Sequence, residues 1–259
     1  MTGDDHVLAR DLAVEAGRRL VELRAGGGEP DLLRKSGDRR SHEFLAAELA
    51  ARRPDDVLLS EEGADNPARL SARRVWIVDP LDGTKEFGEP GRTDWAVHVA
   101  LWERNGPGDL TAGAVALPAQ DRVLSTLDPT GPPEDGPPED GRASGRIRIV
   151  VSRSRAPRFV WNIPDLINAE LVPLGSAGAK VAAVVGGEAD AYVHAGGFYE
   201  WDTAAPVAVA RAAGFHASRI DGSPLVYNQA DLLMPDILVC RPALAGMLLQ
   251  AIREVTHAP

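Results

Sequence analysis

The sequence predicts a layered fold of mixed α+β and α/β character, and three observations predict it. Residues 75–78 form an apolar run rich in β-branched and aromatic types, which is typical of a buried strand. The first half of the chain places helical patterns before a group of strand patterns. Residues 147–256 instead alternate strand and helix, an order that favours an α/β half packed on the earlier sheet.

Two helices begin the chain in this prediction. The first spans residues 4–25, where leucine and alanine recur at helical spacing, and it ends at Gly26. The second spans residues 42–52 and ends before Pro54. The predicted strands of the first sheet are residues 57–59, 75–78, 95–102, 112–117 and 122–126, with a hairpin loop over 103–110.

The second half begins after a stretch rich in proline, glycine and acidic residues at 129–145. Within it, the pentapeptide at 131–135 repeats at 136–140, and this composition predicts a mobile surface loop; a partner-binding tail is the less favoured alternative. The loop divides the chain into halves 1–140 and 141–259. The predicted strands after it are 147–151, 170–174, 189–194 and 237–240, and the predicted helices are 164–169, 179–186, 203–213 and 243–256.

Composition excludes several classes of function. A net charge of −10 over 259 residues argues against a nucleic-acid polymer as partner, but not against a small phosphorylated substrate, because bound divalent cations can invert the local field. No apolar run approaches the ~18 residues of a membrane span, and residues 1–6 lack the pattern of a secretory signal. Cys240 is the single cysteine, so we expect no intrachain disulfide and a cytoplasmic location.

An acidic motif directly follows the strand at 75–78. Asp79 and Asp82 stand three positions apart with Pro80 between them, and the proline predicts an abrupt turn where the strand ends. We expect both carboxylates to converge on one point beside the Leu81 carbonyl. Gly83 and Thr84 are suited to begin a helix whose free N–H groups can hold an anion. Hard oxygen ligands beside such a helix start suit Mg²⁺ and a phosphate group.

Three further acidic positions are ambiguous when each is considered alone. Glu61 and Glu62 follow a strand but could belong to a solvated loop. Asp202 could be a helix N-cap, with Pro206 in the first turn, where its missing N–H is tolerated. Asp38 could be an ordinary turn residue. His98 and His194 lie in apolar strands and are predicted to be core histidines rather than metal ligands.

Taken together, the motifs resemble those of the inositol monophosphatase superfamily. Residues 79–84, D-P-L-D-G-T, match its D-P-(I/L)-D-G-T signature, and 60–62 and 201–205 match its (G/S)-E-E and W-D-x-A-A motifs in the same order. The T-K-E-F at 84–87 and the V-S-R-S at 151–154 look most like the CysQ branch of 3′-phosphoadenosine 5′-phosphate phosphatases. This resemblance implies a layered αβαβα sandwich. Residues 35–40 depart from the family pattern, with a shortened loop before Asp38.

The resemblance also implies a metal-dependent phosphatase mechanism. Two or three Mg²⁺ ions would be held by Glu61, Asp79, Asp82, Asp202 and the Leu81 carbonyl, and Li⁺ would inhibit. Thr84, paired with Asp38, would orient the attacking water and take its proton, while Glu62 would hold a further water. A possible homodimer is expected from the family.

Substrate contacts are expected mainly from the second half of the chain. The Gly83 and Thr84 amides would hold phosphate oxygens, and the stretch from Gly175 and Ser176 to Lys180 resembles a substrate-binding stretch of the family. The remaining expected contacts, to a second phosphate, the sugar or the base, are Ser152, Arg153, Ser154 and Tyr199.

Three functions remain open at this point. The favoured one is hydrolysis of the 3′-phosphate of 3′-phosphoadenosine 5′-phosphate, in sulfur assimilation. The same metal chemistry could act on inositol 1-phosphate or fructose 1,6-bisphosphate, and the sequence does not separate these substrates. A catalytically silent, ligand-binding relative is the third, although nothing would then require Glu61, Asp79, Asp82, Thr84 and Asp202 together.

Overall fold

Five layers make up the protein, in the order helix, sheet, helix, sheet, helix, which confirms the predicted layered fold. The computed structural model describes residues 2–104, 110–129, 131 and 145–257. Most of the predicted loops at 103–110 and 129–145, including the repeat after Gly131, lies outside the described residues. The helices of the described part are α1 (Thr2–Ala25), α2 (Pro30–Arg52), α3 (Thr84–Gly88), α4 (Ile163–Ile167), α5 (Ala177–Val185), α6 (Glu200–Ala212) and α7 (Ala245–His257).

Each sheet of the described structure has five strands. The first has the order β1-β2-β3-β4-β5, with β1 and β2 parallel and the other neighbours antiparallel. The second has the order β7-β6-β8-β10-β9, with β6 parallel to both β7 and β8. The strands are β1 (Val57–Ser60), β2 (Arg74–Asp82), β3 (Ala96–Glu103), β4 (Leu110–Leu117), β5 (Arg122–Ser125), β6 (Ile147–Ser152), β7 (Ala169–Leu174), β8 (Ala191–Tyr199), β9 (His216–Ser218) and β10 (Leu233–Cys240).

The core is divided by the two sheets into three apolar clusters. Helices α1 and α2 cover the outer face of the first sheet, and α4 and α7 cover the outer face of the second. Helices α5 and α6 lie between the sheets and contact both. The small residues of α5 and α6 allow this close packing, and every residue of α5 is buried. The central layer therefore brings the start of α6, with Asp202, against the first sheet.

Helix α2 begins twelve residues earlier than predicted, so the alternative in which Asp38 is an ordinary turn residue is wrong. Glu29 caps the helix by accepting the Leu32 N–H at 3.0 Å, and Pro30 occupies the first helical position, where its missing N–H is tolerated. Gly37, the residue before Asp38, allows close packing of the helix. A Cβ at position 37 would lie 2.9 Å from side-chain atoms of both Leu81 and Phe87. Asp38 is thus carried on a helix that crosses directly over the acidic motif.

Strand β2 also continues further than predicted. Instead of turning at Pro80, the chain stays paired with β3 through Asp82, and the register shifts between Asp79 and Asp82. Asp79 pairs with His98 and Asp82 with Ala96, so the stretch containing Pro80 forms a β-bulge with one extra residue on β2. Bulges redirect side chains next to active sites, which here allows both aspartates to reach one place.

No helix in the described part of the chain is long and apolar enough to cross a membrane. The division into halves 1–140 and 141–259 stays a proposal.

Candidate active site

The site lies at the edge of the first sheet where the parallel strands β1 and β2 end. Ser60 is paired with Val78, and the next residue, Glu61, donates its N–H to the Val78 carbonyl at 3.4 Å. Because parallel strands present their carboxyl ends at the same edge, Glu61 and Asp79 are brought side by side.

Three carboxylates from distant parts of the chain form a cluster here. Asp79, Asp82 and Asp202 each offer one oxygen, and these oxygens lie within 4.8 Å of one another. Asp79 and Asp82 come from the bulged end of β2, whereas Asp202 comes from the first turn of α6. Helix α6 begins at Glu200, so Asp202 is its third residue and Pro206 lies inside the helix rather than in its first turn. Asp202 caps the helix as well, since its Oδ2 accepts the Tyr199 N–H at 2.7 Å.

The cluster strongly perturbs the acidity of its members. Burial, followed by repulsion from Glu61, Asp82 and Asp202, raises the pKa of Asp79 well above its ordinary value. Glu61 lies beside this cluster and is exposed at its outer side, yet the protein around its carboxyl group withholds water and, with repulsion from Asp202, raises its pKa to about 7.

The other two aspartates of the cluster respond differently. Burial and the charge of Asp82 raise the pKa of Asp202 to about 6. Burial also acts to raise the pKa of Asp82, but His98, Lys180 and the Gly178 N–H outweigh it, so this pKa is lowered. Asp82 is therefore the carboxylate of the cluster whose ionised form the protein itself stabilises.

These residues fit a hard divalent cation. Asp79 Oδ2 is buried and has no hydrogen-bond partner among the described residues, while Oδ1 accepts the Leu81 N–H at 3.0 Å. An orphaned buried carboxylate oxygen is costly unless a cation or donor faces it. Carboxylate ligands favour Mg²⁺, Ca²⁺ or Mn²⁺ over metals that prefer nitrogen or sulfur.

Thr84 and Asp38 meet beside this cluster. Thr84 Oγ1 lies 3.2 Å from Asp38 Oδ1 and 3.0 Å from the Leu81 carbonyl oxygen, and its single hydrogen can serve either acceptor. Burial and the charge of Glu62 raise the pKa of Asp38 to about 7, although the Thr84 bond opposes this shift. Glu62 itself is exposed.

A cleft of about 300 Å³ opens beside the carboxylates. Its walls combine five carboxylates with three cations, counted over the described part of the chain. The carboxylates are Glu61, Asp79, Asp82, Glu86 and Asp202, and the cations are Lys85, Arg155 and Lys180. A phosphate monoester entering this cleft meets an excess of negative charge unless a bound cation reverses the local field.

The start of α5 forms one wall of the cleft. Ser176 Oγ caps the helix by accepting the Ala179 N–H at 2.8 Å, and Asp94 holds the preceding turn by accepting the Gly175 N–H at 2.6 Å. Lys180 is buried, and its Nζ donates to the Ser176 carbonyl at 2.8 Å and to the Gly175 carbonyl. Burial lowers the pKa of Lys180 to about 8, against the attraction of Asp82 and the other acids. Opposite α5, Gly83 lines the cleft in a left-handed conformation with φ of 84°.

Arg155, rather than the expected Arg153, lines the cleft after β6. The Arg153 guanidinium is bound by Glu86 Oε1 at 2.7 Å and Glu89 Oε1 at 2.9 Å, so its charge is already neutralised. Arg155, which the sequence did not single out, lines the cleft together with Ser152 and Ser154. The turn is stabilised by the Arg155 N–H, which donates to Ser152 Oγ at 3.1 Å.

Two histidines and Tyr199 complete the surroundings. His98 and His194 are buried, as predicted, yet His98 Nε2 lies 3.1 Å from Asp82 Oδ2 and His194 lines the cleft. Burial and Lys180 lower the pKa of His194 to about 4. Tyr199 is exposed and stacks on Trp201, with ring centroids 4.9 Å apart. Apolar strand patterns gave no signal for either histidine, because one polar side chain in such a strand is usually structural.

Comparisons with known proteins agree with this geometry. The model of the inositol monophosphatase family matches residues 10–257. The chain is 48% identical over 259 residues to the 3′-phosphoadenosine 5′-phosphate phosphatase of Mycobacterium leprae, covering 97% of this chain and 94% of that protein. It is 50% identical over 244 residues to the protein of the same name from Mycobacterium bovis, covering 93% and 90%.

A solved structure of CysQ from Bacteroides thetaiotaomicron, described as a bacterial member of the inositol monophosphatase family, superimposes with a TM-score of 0.76 at 30% identity. The superposition covers 92% of this chain and 97% of that one. The family model spans nearly the whole chain and the fold agrees along its length, so this protein belongs to the inositol monophosphatase family, as the sequence motifs indicated.

Proposed function

We propose that this protein hydrolyses the 3′-phosphate of 3′-phosphoadenosine 5′-phosphate, giving AMP and inorganic phosphate, in the chemistry of sulfur assimilation. The observation that carries the proposal is the near-50% identity, over more than nine-tenths of the chain, to relatives that bear this activity in their names. The chain keeps what such chemistry needs: a carboxylate cluster, a Thr–Asp pair and a cleft lined by three cationic side chains among the described residues.

Mg²⁺ is the proposed cofactor, as two or three ions held by Glu61, Asp79, Asp82, Asp202 and the Leu81 carbonyl. When bound, these ions would supply Lewis-acid stabilisation of the phosphate and activation of a water molecule. The clustered oxygens and the orphaned Asp79 Oδ2 support the three aspartates of this set, and Glu61 and Leu81 line the same cleft. Inhibition by Li⁺ belongs to the same proposal.

The proposed role of Thr84 is to orient the attacking water and to pass its proton to Asp38. When the Thr84 hydroxyl donates to Asp38, its lone pairs are free to accept a hydrogen bond from water. A base works best when its pKa lies near the working pH, and the Asp38 pKa of about 7 meets this condition. Glu62, whose charge raises that pKa, is proposed to hold a second water.

The proposed substrate contacts surround the cleft. The Gly83 and Thr84 amides and the turn at Gly175 and Ser176 would contact the phosphate that leaves. Lys180 would act mainly through its charge, since its Nζ already donates to two carbonyl oxygens. The contacts proposed for the rest of the nucleotide are Ser152, Ser154, Arg155 and the exposed ring of Tyr199.

Arg155 replaces Arg153 in the proposed binding of the second phosphate. A guanidinium already bound by two carboxylates, as that of Arg153 is, has little capacity left for an anion. Arg155 faces the cleft from the turn after β6, and its Nη1 donates one hydrogen bond to the Gly197 carbonyl at 3.2 Å. Its other N–H groups can meet a phosphate.

The experiment is phosphate release from 3′-phosphoadenosine 5′-phosphate, inositol 1-phosphate and fructose 1,6-bisphosphate, each with Mg²⁺, with EDTA and with added Li⁺. We expect preference for the nucleotide, dependence on Mg²⁺ and inhibition by Li⁺. Preference for inositol 1-phosphate or the sugar bisphosphate would retain the metal chemistry and reject the substrate. No turnover of any substrate would favour a silent, ligand-binding relative.

Asp82→Asn provides the matched control for the metal assignment, because it removes one charge of the cluster and nearly preserves shape. Full activity of this variant would reject the proposed ligand set. A cytoplasmic location and a homodimer complete the proposal; fractionation of cells and light scattering of the purified protein test them.

A further inference from the structure

His98 contacts two segments that carry carboxylates, the end of β2 with Asp82 and the start of α6 with Asp202. We propose that His98 is a positioning residue, which holds Asp82 and the start of α6 in the geometry that binds the cation and thereby sets the affinity of the site for Mg²⁺. The inference rests on the proposed metal dependence, but it concerns a residue outside the ligand set.

The first contact is with Asp82. Its Oδ2 accepts the Gly178 N–H at 2.7 Å and lies 3.1 Å from His98 Nε2. The two groups approach the same oxygen, and Oδ1 receives no hydrogen bond from the part of the chain that the structure describes. The carboxyl group is thereby fixed from one side while the other oxygen stays available for a ligand.

The second contact is with the segment that carries Asp202. His98 Nδ1 lies 3.3 Å from the carbonyl oxygen of Trp201, the residue before Asp202 in the first turn of α6. A single rigid ring therefore spans from the bulged end of β2 to the start of α6. Strand β2 belongs to the first sheet and α6 to the central helical layer, and their relative position decides whether Asp82 and Asp202 can share a cation.

The surroundings are built closely around this ring. His98 has no exposed surface, and a Cβ at position 178 would overlap with its Nε2, so Gly178 is required for the ring to fit. Both ring nitrogens approach oxygen atoms rather than apolar groups, with Nδ1 3.3 Å from the Trp201 carbonyl oxygen and Nε2 3.1 Å from Asp82 Oδ2. A ring that carries a proton on each nitrogen can donate to both oxygens, whereas a neutral ring donates to one of them. Groups that orient metal ligands in this way typically change metal affinity about 10–100-fold when they are removed.

The test is calorimetric titration of the intact, metal-free protein with Mg²⁺ in the absence of substrate, accompanied by thermal unfolding. His98→Leu removes both contacts, and we expect Mg²⁺ binding about tenfold weaker or worse. His98→Gln can place an amide donor near Nε2 and keep the Asp82 contact, so we expect it to retain most of the affinity. His98→Asn reaches only as far as Nδ1, so it can keep the Trp201 contact but loses the Asp82 contact, and we expect it to bind Mg²⁺ more weakly than His98→Gln.

Val99→Ala is the matched control for simple destabilisation. Val99 is the next residue of β3 and is equally buried, but it faces α1 and α2 on the opposite side of the sheet. We expect a lower melting temperature with unchanged Mg²⁺ affinity. If Val99→Ala weakened Mg²⁺ binding as much as His98→Leu, or if folded His98→Leu bound Mg²⁺ like the wild type, the positioning role would be rejected.

Two further results would also decide the role of His98: a His98→Leu variant that does not fold, and a wild-type protein that binds no Mg²⁺. If His98→Leu does not fold, the comparison of the Gln and Asn variants decides, and equal affinity in these two would overturn the proposal. If the wild-type protein itself binds no Mg²⁺, the proposed metal dependence fails, and the role of His98 fails with it.

Discussion

The metal-free protein should become more stable when one of its proposed metal ligands is neutralised. Asp79→Asn is the perturbation of choice, because Asp79 is buried beside three other carboxylates and one of its oxygens has no partner in the described structure. The Asn side chain keeps an oxygen for the Leu81 N–H. It also replaces the orphaned oxygen with an amide that can donate to a neighbouring carboxylate.

The expected stabilisation follows from the free-energy cost of the unpartnered Asp79 Oδ2. A buried polar atom without a partner costs about 1–3 kcal/mol. For a chain of this size, 1 kcal/mol corresponds to about 2–4 °C in the melting temperature. We therefore expect Asp79→Asn to raise the melting temperature by about 2–12 °C at pH 8 in EDTA, while it abolishes the phosphatase activity and the stabilisation by Mg²⁺.

The assay is thermal unfolding followed by circular dichroism, at pH 8, in EDTA and in Mg²⁺. Glu43→Gln is the control, since it removes one negative charge from an exposed position on α2, and its melting temperature should stay within about 1 °C of the wild type. If Asp79→Asn lowered the melting temperature in EDTA, the reasoning that the empty cluster is a source of instability would be wrong.

Three other predictions follow from the contacts of the site. Burial raises the pKa of Asp38 to about 7 and that of Asp202 to about 6, so the folded protein holds these two protons more tightly than the unfolded chain. The melting temperature of the metal-free protein in EDTA should therefore fall as the pH rises from about 4 through 7. Glu200→Ala leaves the buried Asn228 N–H and the partly buried Gln229 N–H without their acceptor and should lower the unfolding free energy in urea by about 1–3 kcal/mol. Arg155→Ala should raise KM for the bisphosphate nucleotide at least tenfold and leave KM for inositol 1-phosphate nearly unchanged, whereas Arg153→Ala should mainly reduce stability.

The order of the elements and the position of the acidic motif could be predicted from the sequence because apolar periodicity and local turn chemistry encode them. The predictions failed where long-range packing overrides local preference. Asp38 could have been a turn residue by its local sequence, but it lies within α2, where a Cβ on the neighbouring Gly37 would lie 2.9 Å from Leu81 and Phe87. The predicted strand at 189–194 ends before Gly196, yet β8 continues to Tyr199 because β10 pairs with it.

The residues of the site also divide into those that a local motif predicts and those that only long-range contacts identify. Asp79, Asp82 and Thr84 lie within the six residues 79–84, so one motif predicts all three. Arg155 and His98 contact residues far away in the chain, and no local pattern separates Arg155 from Arg153 two positions earlier. Only the ion pairs of Arg153 with Glu86 and Glu89 show which of the two arginines is free to face the cleft.

The carboxylates that make the metal-free protein less stable at higher pH should make Mg²⁺ bind more tightly there. Asp82 is kept ionised by His98, Lys180 and the Gly178 N–H, so it is ready to bind a cation at neutral pH. Asp79 and Asp202 hold protons more strongly than usual, and Mg²⁺ must displace those protons to bind them. Calorimetric titrations in buffers of different ionisation enthalpy should therefore show proton release on Mg²⁺ binding at pH 6, and less release at pH 8. Affinity that did not change between these two values of pH would show that both aspartates are already ionised in the free protein.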